Sequence, residues 1–198
     1  MKRQTGFTLI EISIVLVIIG LLLGGVLKGQ ELIENAKIKR MNNDFSGIAS
    51  ATYSYLDRYN AIPGDDKNAN ARWGVGNGDG KGSLSGNWDS TDAVDETAIF
   101  WVHLRKSNLI TGGDDTALPV HAFGGKIGVA DGLLGISGPV ICMDNINGKR
   151  AEIIDRQLDD GNPKTGTLRA TKLTTLTTSV PTETSYVESD KYSICKQM

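Results

Sequence analysis

One stretch limits what this chain can become. From Phe7 to Leu27 it carries a single charge, Glu11, among aliphatic, aromatic and small residues. At about 1.5 Å per residue, a helix of that length reaches roughly 31 Å, enough to cross the hydrocarbon core of a bilayer. Only Met1, Lys2, Arg3, Gln4 and Thr5 precede Gly6, and two of these are basic. A secretory signal is cut after its apolar run, at small residues. Here the chemistry changes ahead of the run, at Gly6/Phe7, so a cut there would discard the charged leader and keep the helix. The basic residues before the span place the N-terminus in the cytoplasm and everything after Leu27 outside it. The expected division is a leader peptide at 1–6, a transmembrane or filament-core helix at 7–29 and an extracytoplasmic globular head at 30–198.

Glu11 is the costly residue. A carboxylate within an apolar helix costs about 2.5–3.5 kcal/mol on insertion scales and normally has a partner. Cleavage after Gly6 would create a positive α-amino group on Phe7, four residues away and within reach along one helix. In a packed assembly Glu11 would instead meet the Phe7 amine of a neighbouring subunit. Packing out of register would then strand both charges, which makes Glu11 a register device. The plainer alternative is a membrane anchor whose Glu11 sits near the interface and snorkels to water.

Gly6-Phe7-Thr8-Leu9-Ile10-Glu11 with its long aliphatic continuation resembles the type III signal of the type IV pilin and type II secretion pseudopilin superfamily. The resemblance implies that a prepilin peptidase cuts after Gly6, that Phe7 is N-methylated, and that Glu11 with Phe7 serves assembly. It implies polymerisation with like or sister pilins or pseudopilins through the N-terminal helix, driven by an inner-membrane assembly platform. The protein would begin as a single-pass inner-membrane protein and end in a pilus or pseudopilus. One position departs from the pattern: where many type IV pilins carry a helix-kinking proline, this chain has Lys28. Gly20, Gly24, Gly25 and Gly29 are the residues that would loosen the helix instead, and their spacing permits close helix approach.

Helical periodicity continues past the apolar run. Leu32, Ile33, Ala36, Met41, Phe45, Ile48, Ala49, Thr52, Leu56 and Tyr59 recur at three- and four-residue steps, one stripe of an amphipathic helix. Pro63-Gly64-Asp65-Asp66 stops it. The predicted fold is α+β: a pilin-like lollipop whose helix runs over about 7–59. Its C-terminal half packs on a small antiparallel sheet with one or two short helices. Asp95–Ile110 reads as a short helix capped by Thr91 or Asp92 and stopped by Gly112-Gly113, and Lys149–Leu158 as another, capped by Asn147. Strand candidates are Lys126–Val129, Leu133–Ile136, Pro139–Met143, Thr167–Leu173 and Tyr192–Cys195. Thr171–Thr184 reads as a long exposed loop, a glycosylation or partner surface. The segment from Ile154-Asp155 through Asp160-Gly161-Asn162-Pro163 to Thr165-Gly166 resembles a stretch of some pilin-like proteins.

Cys142 and Cys195 are the only two cysteines. Outside the cytoplasm an even pair reads as a disulfide, here tying the C-terminus to the middle of the head. The chain-entropy model credits a loop of that size with about 4 kcal/mol. Many type IV pilins have a C-terminal disulfide-bounded region and major pseudopilins usually do not, so the pair favours a pilin.

Residues 60–92 form a Gly/Asn/Asp-rich connection. Within it Asn77-Gly78-Asp79-Gly80-Lys81-Gly82 resembles half a calcium loop, with Asp65 and Asp66 as further oxygen ligands across the loop. Lys81 occupies a would-be ligand position and no glutamate closes the pattern, so the alternative is a solvated turn cluster. His103 and His121 have no Cys or His neighbours at zinc-ligand spacing and read as packing or surface residues.

Other chemistry is hard to place. Removal of Lys2 and Arg3 would leave 19 basic against 23 acidic residues, a formal charge of −4 and no nucleic-acid-binding balance. Serines are plentiful without a nucleophile elbow, and the Gly-rich segment lacks the Gly-Lys-Ser/Thr of a phosphate loop. The carboxylate pairs Asp65/Asp66, Asp114/Asp115 and Asp159/Asp160 sit beside turn residues, not in an acid/base couple. The expectation is a structural subunit, not an enzyme: a type IV pilin, major or minor, serving adhesion, motility or DNA uptake. The alternatives are a type II secretion pseudopilin and a monomeric membrane-anchored binding module.

Overall fold

The computed structural model describes residues 8–172 and 176–198. Gly6 and Phe7, and the residues 173–175 inside the Thr-rich stretch, lie outside the described residues. The chain divides into two compact units at Lys37/Ile38.

The first element, α1, is an unbroken helix over Leu9–Tyr59. Lysine at position 28 retains the backbone N–H that a proline would remove, so the i→i−4 ladder passes through it. Gly20, Gly24, Gly25 and Gly29 leave α1 continuous as well. In the first unit every described residue from Thr8 to Lys28 is exposed.

In the second unit α1 buries Ile38, Met41, Phe45, Ile48, Ala51, Thr52 and Tyr55. The strict three-four alternation 38-41-45-48-52-55 keeps one seam towards the core. This corrects the predicted stripe. Leu32 and Ile33 are 59% and 60% exposed, and Leu56 lies off the seam at 40%.

A five-residue helix, α2, covers Ala69–Trp73 inside the Gly/Asn/Asp-rich connection; Gly74 ends it in the left-handed conformation. Helix α3 spans Glu96–Lys106 with Asp95 at its N-cap, so neither Thr91 nor Asp92 caps it. It ends well before Gly112-Gly113. Ser107 closes it and Asn108 takes φ +56°, supplying the left-handed step expected of the glycines.

The sheet comprises β1 (Ile127–Asp131), β2 (Pro139–Asn147), β3 (Leu168–Thr171) and β4 (Lys191–Gln197). Helix α4 (Gly148–Leu158) follows β2, and Asn147 caps it by accepting from the Lys149 N–H. All pairings are antiparallel in the order β1-β2-β4-β3, so the C-terminal strand lies inside the sheet and β3 forms an edge.

Both faces of the sheet are covered. Ile127, Val129, Ile141, Met143, Leu168, Ala170 and Ile194 join the seam of α1 and parts of α3 and α4 in one core. Ala130, Val140, Cys142 and Cys195 point the other way, into a smaller cluster with Trp88, Leu133, Leu134, Ile136 and Leu176. Leu133–Ile136 is therefore a turn, not a strand: Leu134 and Gly135 adopt φ +52° and +73°, and their N–H groups donate to Thr177 and Thr178. The Thr-rich stretch returns those carbonyls and buries Leu176 and Pro181, so it packs on the sheet and is not simply an exposed loop.

Candidate functional site

The start of α1 is built by four consecutive residues. Thr8 Oγ1 accepts from the Glu11 N–H at 3.3 Å, while a Glu11 carboxylate oxygen accepts from the Thr8 N–H and hydroxyl, both at 2.8 Å. This is a capping box, Thr-x-x-Glu, in which two otherwise orphaned donors are satisfied reciprocally. Thr8 is the residue that sequence reasoning missed, although the Thr/Glu spacing was there to find it. Among the described residues, the donors to the Glu11 carboxylate are the Thr8 N–H and hydroxyl. Around and beyond it the helix presents a largely apolar surface, interrupted by Ser13, with Leu9 89%, Leu16 63%, Leu21 72% and Leu27 67% exposed. A Cβ placed at Gly20, Gly24, Gly25 or Gly29 would meet nothing within 4 Å, so all four sites are open to an approaching helix. By length and composition α1 contains a span sufficient to cross a membrane.

Comparison with known proteins addresses this segment directly. The family model described as the prokaryotic N-terminal methylation motif matches residues 1–27. Residues 1–27 carry a prokaryotic N-terminal methylation motif. No curated protein matches the chain. Among solved structures, the major type IV pilin PilA1 from Clostridium difficile is similar over 82% of this chain and 96% of its own, with 14% identity and a TM-score of 0.40. The methylation motif includes Gly6, Phe7 and Glu11, and of these Glu11 lies in the described residues.

Away from the methylation motif, the 60–96 region gathers three buried carboxylates, Asp65, Asp66 and Glu96. Asp65 accepts from the backbone N–H groups of Gly80, Lys81 and Gly82 at 2.6, 3.1 and 2.6 Å. Glu96 accepts from the N–H groups of Asp79 and Ser85, both at 2.8 Å. Oxygens of Asp65, Asp79 and Glu96 approach within 4.8 Å of one another. Sequence pattern did not reveal Glu96, because it reaches the loop from α3. Burial raises the Asp65 pKa, opposed by the three N–H donors. Lys81 holds the exposed Asp79 carboxylate at 2.7 Å.

Asp66 and Asn77 do not join this group. Asp66 turns towards α1 and α2, accepting from the Tyr55 hydroxyl at 2.7 Å and the Asn68 N–H at 2.8 Å and pairing with Arg72. The Asn77 side chain accepts from the Asn70 N–H at 2.7 Å. The Asp66 carboxylate satisfies buried and partly buried donors, whereas the Asn77 contact lies at the surface. A cleft of about 490 Å³ lies beside Tyr59, Asp65, Asp66 and Gly82.

Both histidines are structural pins. His103 is fully buried, its Nδ1 accepting from the Gly64 N–H at 2.9 Å and its Nε2 lying 2.8 Å from the Gly76 carbonyl. The N–H on Nδ1's side comes from the backbone, so the ring proton must sit on Nε2 and the ring is neutral. His121 repeats the arrangement, accepting from the Phe123 N–H at 3.2 Å and facing the Asp144 carbonyl at 2.8 Å. Burial lowers both pKa values, most directly for His103, where Arg72 adds to the effect. A disulfide joins Cys142 and Cys195, directly opposite each other on β2 and β4 and both fully buried.

Proposed function

We propose that this chain is a structural filament subunit of the type IV pilin kind, processed between Gly6 and Phe7 and assembled through the first part of α1. The observation that carries the reading is the methylation motif over residues 1–27 on a helix whose apolar residues 9–27 are all exposed. An unpartnered surface of that character requires lipid or other helices, and the motif supplies a route from one to the other. Prepilin peptidase would free the Phe7 amine, methylation would follow, and Glu11 would meet that amine on a neighbouring subunit. Heterologous contacts that do not close generate helical filaments from such units. The disulfide favours a pilin over a secretion pseudopilin.

The test is intact mass of the protein purified from its native host. Loss of residues 1–6, one added methyl group and two missing hydrogens is the expected result. A full-length mass would leave an uncleaved signal anchor and turn the reading towards a monomeric membrane-held module.

A further inference from the structure

The segment 155–166 is sequence that filament assembly through α1 does not use, yet nearly every residue in it has a defined role. In an antiparallel pair, alternate residues direct their N–H and C=O groups towards the neighbour, and the residues between direct theirs outward. On β3 the Gln197 N–H donates inward to the Thr167 carbonyl, so Leu168 and Ala170 are the outward positions. Neither outward N–H is free. Leu168 donates to the Asp159 carboxylate at 2.8 Å, and Ala170 donates to the Pro163 carbonyl at 2.9 Å. The loop between those acceptors runs along the outer edge of the sheet.

The rest of the segment holds this strap in place. Asp155 is fully buried and accepts from the Gly161 N–H at 3.2 Å and the Tyr186 hydroxyl at 2.6 Å. Asp160 closes the turn by accepting from the Asn162 N–H at 2.9 Å and the Thr165 hydroxyl at 2.5 Å. Gly166 has φ +78°, and a Cβ there would collide with the Asp159 carboxylate. Pro163 offers no N–H of its own, so the strap does not present a new donor row at that point.

We propose that residues 159–166 are an edge guard that closes β3 against strand addition by a second copy of this chain. An exposed edge strand is a template for pairing, and natural proteins blunt it with charge, proline or a covering loop. This strap combines all three. A second copy is the relevant partner because antiparallel β3–β3 pairing about a two-fold is self-complementary. Approach of two guarded edges also brings Asp159 and Asp160 of one copy against the same carboxylates of the other.

The experiment uses the full-length chain in detergent with its disulfide intact, following amide hydrogen exchange of β3 and light scattering over a concentration series. Asp159→Ala should accelerate exchange at Leu168 and Ala170 at least tenfold in dilute solution while α3 amides stay protected. As concentration rises the variant should self-associate and those two amides should become protected again. Asp159→Asn keeps an acceptor oxygen and should behave as the parent chain. Association without renewed β3 protection would place the contact elsewhere, and unchanged exchange would show that Asp159 guards nothing; either overturns the proposal. Should Asp159→Ala fail to fold, Gly166→Ala displaces the same carboxylate without removing its charge and is read in the same way.

Discussion

A histidine whose Nδ1 accepts a backbone N–H can hold that bond only while neutral, and this gives the head a definite response to acid. For His103, protonation would set a new N–H against the Gly64 N–H, close to the positive Arg72. Its folded pKa lies below the ordinary 6.5, so between the two values the unfolded chain binds the extra proton. The contribution is fully present above about pH 6.5 and falls as pH drops towards the folded value, at up to about 1.4 kcal/mol per pH unit. Asp155 acts in the opposite sense. Burial raises its pKa to about 6, so its contribution grows as pH falls through that value. Because Asp155 acts equally in both proteins, His103 shows in their difference: His103→Gln should have the lower thermal midpoint at pH 7, and the gap to the parent chain should narrow as pH falls to 5. Parallel slopes for the two proteins would remove His103 as the source. Nothing in the sequence pattern distinguished these histidines from surface residues, because the partners of His103, Gly64 and Gly76, are backbone atoms supplied by a loop.

At the scale of elements, what could be read depended on whether the determining contacts were local. Helix α4 was legible because Asn147 caps it within two residues, and α1 because its periodicity is long. The phase of the α1 seam was not, since Leu32, Ile33 and Leu56 suit a stripe as well as Ile38, Ala51 and Tyr55 do; tertiary packing made the choice. Leu133–Ile136 has a strand's composition, but it serves as an apolar plug over the disulfide face of the sheet. Glu96 was hidden for the same reason, reaching Asp79 and Ser85 from a separate helix. The disulfide was legible from compartment and count, and its position between neighbouring strands adds a consequence. Strands β2 and β4 are already joined by a ladder, so the covalent bond reinforces contacts that also exist without it. Replacing both cysteines with serine should lower the urea unfolding free energy by about 2–4 kcal/mol while leaving a cooperative transition. A non-cooperative transition would instead show that the cluster around Trp88 and Leu134 depends on the bridge for its order.

For the whole molecule, the decisive question is what Glu11 does beyond its own chain. Within that chain it completes a capping box with Thr8, an arrangement whose loss costs about 1 kcal/mol. Removing the carboxylate also relieves about 2.5–3.5 kcal/mol of insertion cost, so membrane insertion should survive or improve in Glu11→Ala. In the proposed filament the demand differs, because there we propose that the charge answers the Phe7 amine of another subunit. Glu11→Ala should therefore insert normally yet be nearly absent from sheared filaments. Thr8→Val separates the two roles, since it removes the capping hydroxyl and leaves the charge. If Thr8→Val assembles while Glu11→Ala does not, the intermolecular charge sets the register. Equal failure of both would assign the defect to the start of the helix, and normal incorporation of Glu11→Ala would remove the register role altogether.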